Sequence, residues 1–225
     1  MADSNNLFTY QHIRDTVKTQ ISQKPFSCTY HWVINWINTE ISKLPPGSII
    51  LELGTFVGGS THLIAKANRH VIIHTIDLNK FDENSHMLEA MKKEYSLPKL
   101  KPSDLLEIQK MHVEDFENII LHTGDSKSLD INNISLVFID AGHTEEEVQA
   151  DLEYAWDRVI PGGFIFGDDA NYSNVYNAFA KFARDKDIEL TLYSKCVRIK
   201  KTNKINPDQR FFDMKLTEDI LIAKH

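Results

Sequence analysis

From Gly47 onward the chain repeats one unit: a short apolar run that ends near an acidic residue, followed by a segment of helical period. Ile49-Ile50-Leu51-Glu52-Leu53 is the first. Val71 to Ile76 with Asp77, Ile119 to His122 with Gly124-Asp125, Leu136 to Ile139 with Asp140, and Phe164 to Phe166 with Asp168-Asp169 follow. Runs this short and continuously apolar read as strands buried on both faces. Alternation with amphipathic helices then predicts an α/β fold, doubly wound around a mainly parallel sheet. Two of the intervening helices show their buried faces: Val148, Leu152, Ala155, Trp156 and Val159, then Val175, Ala178, Phe179, Phe182 and Ala183. Pro161-Gly162-Gly163 reads as the turn between the first of these and the fifth strand. Upstream, Tyr30, Ile34, Ile37, Ile41 and Leu44 recur at steps of four and three, the period of one helix face, and Pro45-Pro46-Gly47 ends that helix. A further helix fits Leu7 to Ile21. Ile188 to Tyr193, Val197 to Lys200 and Ile220 to Ala223 are strand-like pieces whose pairing is left open.

Composition narrows the class. With 225 residues, 42% hydrophobic and 25% charged, the chain has the make-up of an ordinary globular protein and suits one domain spanning 1–225. Residues 1–46 form an N-terminal helical cap in this reading, and 79–117 an insert. The net charge of −7 argues against a nucleic-acid binder that relies on bulk electrostatics. No apolar run approaches a membrane span or a signal peptide. Cys28 and Cys196 have no metal or redox spacing, so a reducing cytoplasm is the expected location.

In sheets of this kind ligands bind at the carboxyl ends of the strands, which is where the acidic residues collect. The first strand leads into Gly54-Thr55-Phe56-Val57-Gly58-Gly59-Ser60. Phe56 stands where a dinucleotide fingerprint needs its second glycine, and no lysine precedes Ser60 as a phosphate-binding loop requires. A carboxylate at Glu52 would repel a pyrophosphate and attract an ammonium. Asp77, at the second strand end, can accept hydrogen bonds from two ribose hydroxyls. Together they suit a positively charged nucleoside such as S-adenosylmethionine.

The segment Ile50 to Ser60 resembles the E-x-G-x-x-x-G loop of class I S-adenosylmethionine-dependent methyltransferases. Val137-Phe138-Ile139-Asp140-Ala141-Gly142-His143, followed by Asp151, Pro161-Gly162-Gly163 and Asp168-Asp169, resembles more narrowly the small bacterial macrocin O-methyltransferase and cephalosporin-tailoring types. The resemblance covers about residues 47–185. It implies a Rossmann-like, seven-stranded sheet. It further implies that Glu52 and Gly54 contact the methionine portion, that Asp77 holds the ribose, and that Asp125 with Ser126 faces the adenine edge. Thr55, Phe56, Gly58, Ser60, Leu78, Gly124 and Asp140 complete the expected cofactor contacts. Asp125 as a simple turn residue stays open beside this.

Asp140, Asp168 and Asp169 follow neighbouring strands and should converge. Three close carboxylates repel unless a proton or a cation intervenes, and a cluster of hard oxygen ligands suits Mg²⁺ or another divalent cation. Such an ion would hold an acceptor hydroxyl and lower its pKa. The rival reading makes Asp168 a helix cap and Asp169 a turn residue. His143, three residues after Asp140, is matched to removing a hydroxyl proton near neutral pH. It could equally just precede a helix that begins with the capping-box spacing Thr144 to Glu147.

The insert 79–117 reads as a lid, a substrate wall or a plain surface excursion. Trp32 and Trp36 read as lining an acceptor pocket or an oligomer interface, or as packing on the sheet. Lys195, Arg198, Lys200, Lys201 and Lys204 form a basic cluster best explained as a solvated strand face, with an anionic partner as the sharper alternative. The function expected is a divalent-metal-assisted O-methylation of a small hydroxylated molecule, with no nucleic-acid or membrane partner and a homo-oligomer left open. A nicotinamide-dependent oxidoreductase and a noncatalytic S-adenosylmethionine-binding partner subunit are the alternatives.

Overall fold

In the computed structural model, which describes residues 4–80 and 85–202 and side chains from residue 11, the apolar runs become seven strands. The elements in chain order are α1 (Ser4–Gln23), α2 (His31–Ile41), β1 (Ile49–Leu53), α3 (Gly59–Ala67), β2 (Ile72–Asp77), α4 (His86–Glu94) and α5 (Pro102–Val113). There follow β3 (Ile119–Thr123), β4 (Ile134–Ile139), α6 (Glu145–Arg158), β5 (Val159–Gly167), α7 (Ser173–Asp185), β6 (Leu190–Tyr193) and β7 (Cys196–Lys200). The sheet runs β3-β2-β1-β4-β5-β7-β6, as the doubly wound reading requires. The first five strands pair in parallel. β7 enters antiparallel between β5 and β6. Strand order reverses between β1 and β4, so their carboxyl ends open the crevice where such sheets take ligands.

β4 shows why the apolar runs are continuous. Val137 and Ile139 face one side and join Leu51, Leu53 and Ile165 beneath α6 and α7. Leu136 and Phe138 face the other and join Ile50, Ile73 and Phe166 beneath α2 and α3. All six β4 residues are buried, so an alternating pattern would have placed polar groups in one of the two layers. Each fully buried phenylalanine or isoleucine here is worth about 1.5–3 kcal/mol relative to exposure. A third apolar cluster lies apart from the central strands. Ile13, Val17 and Ile21 of α1 pack with Leu88, Met91, Tyr95, Leu105, Ile108 and Met111 of the insert. The insert therefore has a core of its own, built with the N-terminal helix.

Two expectations change. Pro161-Gly162-Gly163 is not a turn before the fifth strand but a bulge within β5. Pairing passes from Ile134↔Val159 to Leu136↔Phe164, and the extra residues are absorbed by Gly162 at φ +87 and its N–H bond to the carbonyl of Lys201 (2.6 Å). Of the described members of the basic cluster, Lys200 is exposed as a solvated face requires, and the other three are engaged within the chain. Arg198 pairs with Glu40 (2.9 Å), Lys201 donates to the carbonyls of Trp156 and Val159, and Lys195 points at Asp169 (2.8 Å). Trp32 and Trp36 pack edge-on against Tyr193 of β6. Lys204 and Ile220 to Ala223 lie outside the described residues. Among the described residues no helix is long and apolar enough to cross a membrane, and Cys28 and Cys196 are free thiols.

Candidate active site

A cleft of about 980 Å³ opens over the carboxyl ends of β1, β2, β3 and β4. One wall is the loop from Leu53 to Ser60. Asp77 and Leu78 form the next, then Gly124 to Lys127, then Asp140 to His143. The remaining side is closed by Phe26 to Thr29, ahead of α2, and by Met87, Leu88 and Leu105 of the insert. The insert is thus a wall of the cleft.

The loop after β1 is held by contacts that only glycine permits. Gly54 sits at φ +98, and a Cβ there would lie 1.9 Å from the carbonyl oxygen of Asp140. A Cβ on Gly59 would lie 1.7 Å from the carbonyl oxygen of Phe26. Phe56, at φ +48, donates its N–H to Asp77 Oδ2 (2.7 Å), and its carbonyl accepts from the buried Gln109 of α5 (2.6 Å). Asp77 Oδ1 accepts the N–H of Asn79 (2.7 Å). Both carboxylate oxygens are therefore aimed by main-chain donors while the residue still lines the cleft.

Glu52 is turned inward, away from the cleft. It is 1% exposed, and its carboxylate accepts hydrogen bonds from Ser60 (2.6 Å), Thr75 (2.7 Å) and Thr61. Burial pushes its pKa up, opposed by those three hydroxyls. Glu52 fastens β1 to α3 and β2 and contributes no surface to the cleft. Gly58 is likewise absent from the lining, facing His112 and Val113. Gly54, Thr55, Phe56, Ser60, Asp77, Leu78, Gly124, Asp125, Ser126 and Asp140 all line it. Asp125 also accepts the N–H of Lys127 (2.9 Å), so the turn role and the cleft position coexist.

The acidic cluster assembles, though with partners the sequence did not announce. Asp140 Oδ2 accepts from the hydroxyl of buried Thr29 (3.0 Å). Its pKa is pushed up to about 7, first by burial and next by the charge of Asp168. Asp168, with a side chain 2% exposed, accepts the N–H of Asp169 (2.8 Å), and its pKa is raised by burial. Asp169 lies at φ +56. It bonds His143 Nε2 through Oδ2 (3.0 Å) and Lys195 Nζ through Oδ1 (2.8 Å). Those bonds, the one from His143 foremost, hold its pKa at about 2. The same bond raises the pKa of His143.

This arrangement does not fit Mg²⁺. The ion needs near-octahedral oxygen ligands at about 2.0–2.1 Å. Here an ammonium faces Asp169 at 2.8 Å and Asp168 at 3.6 Å, and a ring nitrogen holds the remaining Asp169 oxygen. Among the described residues no group of three His, Cys, Asp or Glu side chains is disposed to hold a metal ion. The expectation that Asp140, Asp168 and Asp169 coordinate a divalent cation is corrected on that ground, and Asp168 does not reach the cleft.

Sequence reasoning missed Thr29, Asp151, Tyr172 and Lys195. Asp151 lines the cleft beside Ser126 (3.2 Å), with its pKa pushed up to about 6 by burial. Lys195 belonged to an apparent surface run. Its location in a two-residue turn between strand-like pieces was the available signal.

A sequence-family profile described as a methyltransferase domain matches residues 51–170, more than half of the chain. No curated protein matches the sequence. Solved structures do. A SAM-dependent O-methyltransferase from Thermotoga maritima superposes with a TM-score of 0.56 at 12% identity, over 84% of this chain and 72% of that one. An O-methyltransferase from Bacillus cereus in complex with SAH gives 0.55 at 15% identity, over 89% and 92%. An rRNA methylase from Streptococcus thermophilus gives 0.52 at 14%, over 79% and 99%. At such identities the likeness concerns the fold, and acceptors as different as these share it. With the profile spanning both the glycine loop and the acidic cluster, the chain belongs to the methyltransferase-domain family and is a class I, S-adenosylmethionine-dependent methyltransferase.

Proposed function

We propose that this enzyme methylates an oxygen of a small hydroxylated acceptor, with His143 as general base and Asp169 as the residue that positions it. One observation carries the reading: the His143–Asp169 hydrogen bond of 3.0 Å lies on the wall of the cleft that also holds Gly54, Asp77 and Asp140. Bound S-adenosylmethionine supplies a methyl carbon that leaves its sulfonium for an oxygen nucleophile. The chain then needs to hold two partners in line and accept one proton.

The residues fit those tasks. Asp77, with both oxygens already oriented, accepts the ribose hydroxyls. Asp125 and Ser126 meet the adenine edge, and Leu78 supplies apolar cover. With Glu52 turned inward, Asp140 is the carboxyl beside the loop available to the methionine ammonium. His143 donates from Nε2 to Asp169, which leaves Nδ1 to take the hydroxyl proton as the acceptor oxygen bonds to the methyl carbon. General-base assistance of this kind contributes about 10²–10⁴-fold. Asp168-Asp169 and the Val137 to His143 segment support a place near the macrocin-type O-methyltransferases. The internal use of Lys195, Arg198 and Lys201 supports a small acceptor over a nucleic acid.

The test is thermal unfolding with S-adenosylhomocysteine, followed by a methylation assay on paired hydroxyl and amine acceptors. At 100 times its dissociation constant the ligand adds about 2.7 kcal/mol, a midpoint rise of roughly 5–10 °C for a chain of this size. Labelled methyl on the hydroxyl compounds, lost in His143→Ala while the thermal rise persists, supports the reading. Methyl found only on amines overturns it.

A further inference from the structure

We infer that Lys195 is the built-in cation of this active site, filling the position between Asp168 and Asp169 that would otherwise invite a divalent metal. The inference concerns the carboxylate pair itself. It rests on the functional reading above only where turnover is the readout.

Four observations carry it. Lys195 Nζ is 2.8 Å from Asp169 Oδ1 and 3.6 Å from Asp168 Oδ1, so one ammonium serves two carboxylates, one of which is buried. The lysine is 17% exposed, far from the free state of a surface side chain. On its outer side the ring of Tyr30 covers it, with Nζ 4.5 Å from the centroid, an arrangement that favours a cation. The backbone beneath it is pinned. Tyr193 pairs with Cys196 across a two-residue turn, Ser194 takes φ +51, and the carbonyl of Lys195 accepts the N–H of Ala170 at 2.7 Å. That bond ties the β6–β7 turn to the loop carrying both aspartates.

The consequence is chemical. A lysine donates hydrogen bonds and offers no open coordination position, so the site has fixed positive charge and no Lewis acid. Lys195 acts on the reaction through Asp169, whose other oxygen orients His143; it is a positioning residue. Substituting the ammonium by a neutral side chain leaves two adjacent carboxylates with no counter-charge, which is the donor set a hard divalent ion accepts.

The experiment uses the full chain and Mn²⁺ alone, followed by its paramagnetic resonance signal. Wild-type protein is expected to leave Mn²⁺ free up to millimolar concentration. Lys195→Met, which keeps the length of the side chain and discards its charge, is expected to bind one Mn²⁺ per chain. Asp169→Asn in the Lys195→Met background should abolish that binding. Where turnover is measurable, wild-type activity should be unchanged by chelator, and Lys195→Met should lower kcat about 10²-fold with KM for S-adenosylmethionine unchanged. Lys195→Arg should restore most of it. One Mn²⁺ bound by the wild type and lost in Asp169→Asn overturns the inference. So does a folded Lys195→Met that neither binds Mn²⁺ nor loses kcat. If Lys195→Met fails to fold, Lys195→Arg decides: it must still leave Mn²⁺ free, and bound Mn²⁺ there overturns the inference. The resonance arm stands even for a protein with no detected methylation.

Discussion

Glu52 shows that a residue's identity does not give its orientation. Its place in the loop motif was readable, but its orientation was not, because the sequence does not say that Ser60, Thr61 and Thr75 would converge on it. Removing the carboxylate strands the buried hydroxyls of Ser60 and Thr61, while that of Thr75 keeps Thr55 as a partner (2.6 Å). Glu52→Ala is therefore expected to cost about 3 kcal/mol, with a drop of roughly 6–12 °C in thermal midpoint. Glu52→Gln, which keeps one acceptor, should cost less than half as much. An equal loss in both would mean that charge, not hydrogen bonding, matters there. His143 makes the opposite case. Its ring is half exposed and packs only edge-on to Tyr172, so His143→Ala should leave the midpoint within about 0.5 kcal/mol of wild type. Calorimetric unfolding checks this, and a large loss would argue for a structural histidine.

At the scale of elements, the glycine loop and α5 depend on each other. Gln109 of α5 bonds the carbonyl of Phe56, and Gly58 lies against His112. Gly54→Ala places a methyl into the Asp140 carbonyl and strains a left-handed backbone. Loss of the S-adenosylhomocysteine-induced midpoint rise is expected, even at a temperature where the variant is folded. His112 gives α5 a pH signature. The ring is fully buried, its Nδ1 donates to the carbonyl of Ile108 (3.0 Å), and burial pulls its pKa down from 6.5 to about 4. Between those two values the unfolded chain binds a proton that the folded chain refuses. Stability is thus complete above about pH 6.5 and falls by about 3 kcal/mol as pH drops toward 4. His112→Gln should be less stable than wild type at pH 7 and close that gap at pH 4.5. A gap that stays constant in midpoints measured at both pH values would refute it. Sequence periodicity found α2, α6 and α7 well because each has a clear apolar face on the sheet. It missed the bulge in β5, since a Pro-Gly-Gly run looks the same whether it precedes a strand or interrupts one.

Across the whole molecule, the α/β alternation was legible because buried parallel strands leave long apolar runs, and the cleft was legible because strand ends collect in one place. The partners of the acidic cluster were not. Thr29 and Lys195 lie 111 and 26 residues from the groups they bond, and neither belongs to a motif. The layering also predicts uneven stability. α1 packs on α4 and α5 in a cluster separate from the two sheet layers. Deleting residues 1–23 should speed hydrogen exchange in α4 and α5 by orders of magnitude, while β1 and β4 keep their protection. Uniform acceleration through the sheet would show that the layers melt as one.

The position of Lys195 has a consequence for biosynthesis. The aspartates at 168 and 169 leave the ribosome before their counter-ion does, and β7 must slot between β5 and the later-paired edge of the sheet before that charge is neutralised. Domains generally begin folding from the N-terminal side during translation. A nascent chain halted short of residue 195 would thus carry an almost complete sheet around an uncompensated acidic pair. The hairpin that closes the antiparallel edge of the sheet thus also delivers the counter-ion of the acidic pair.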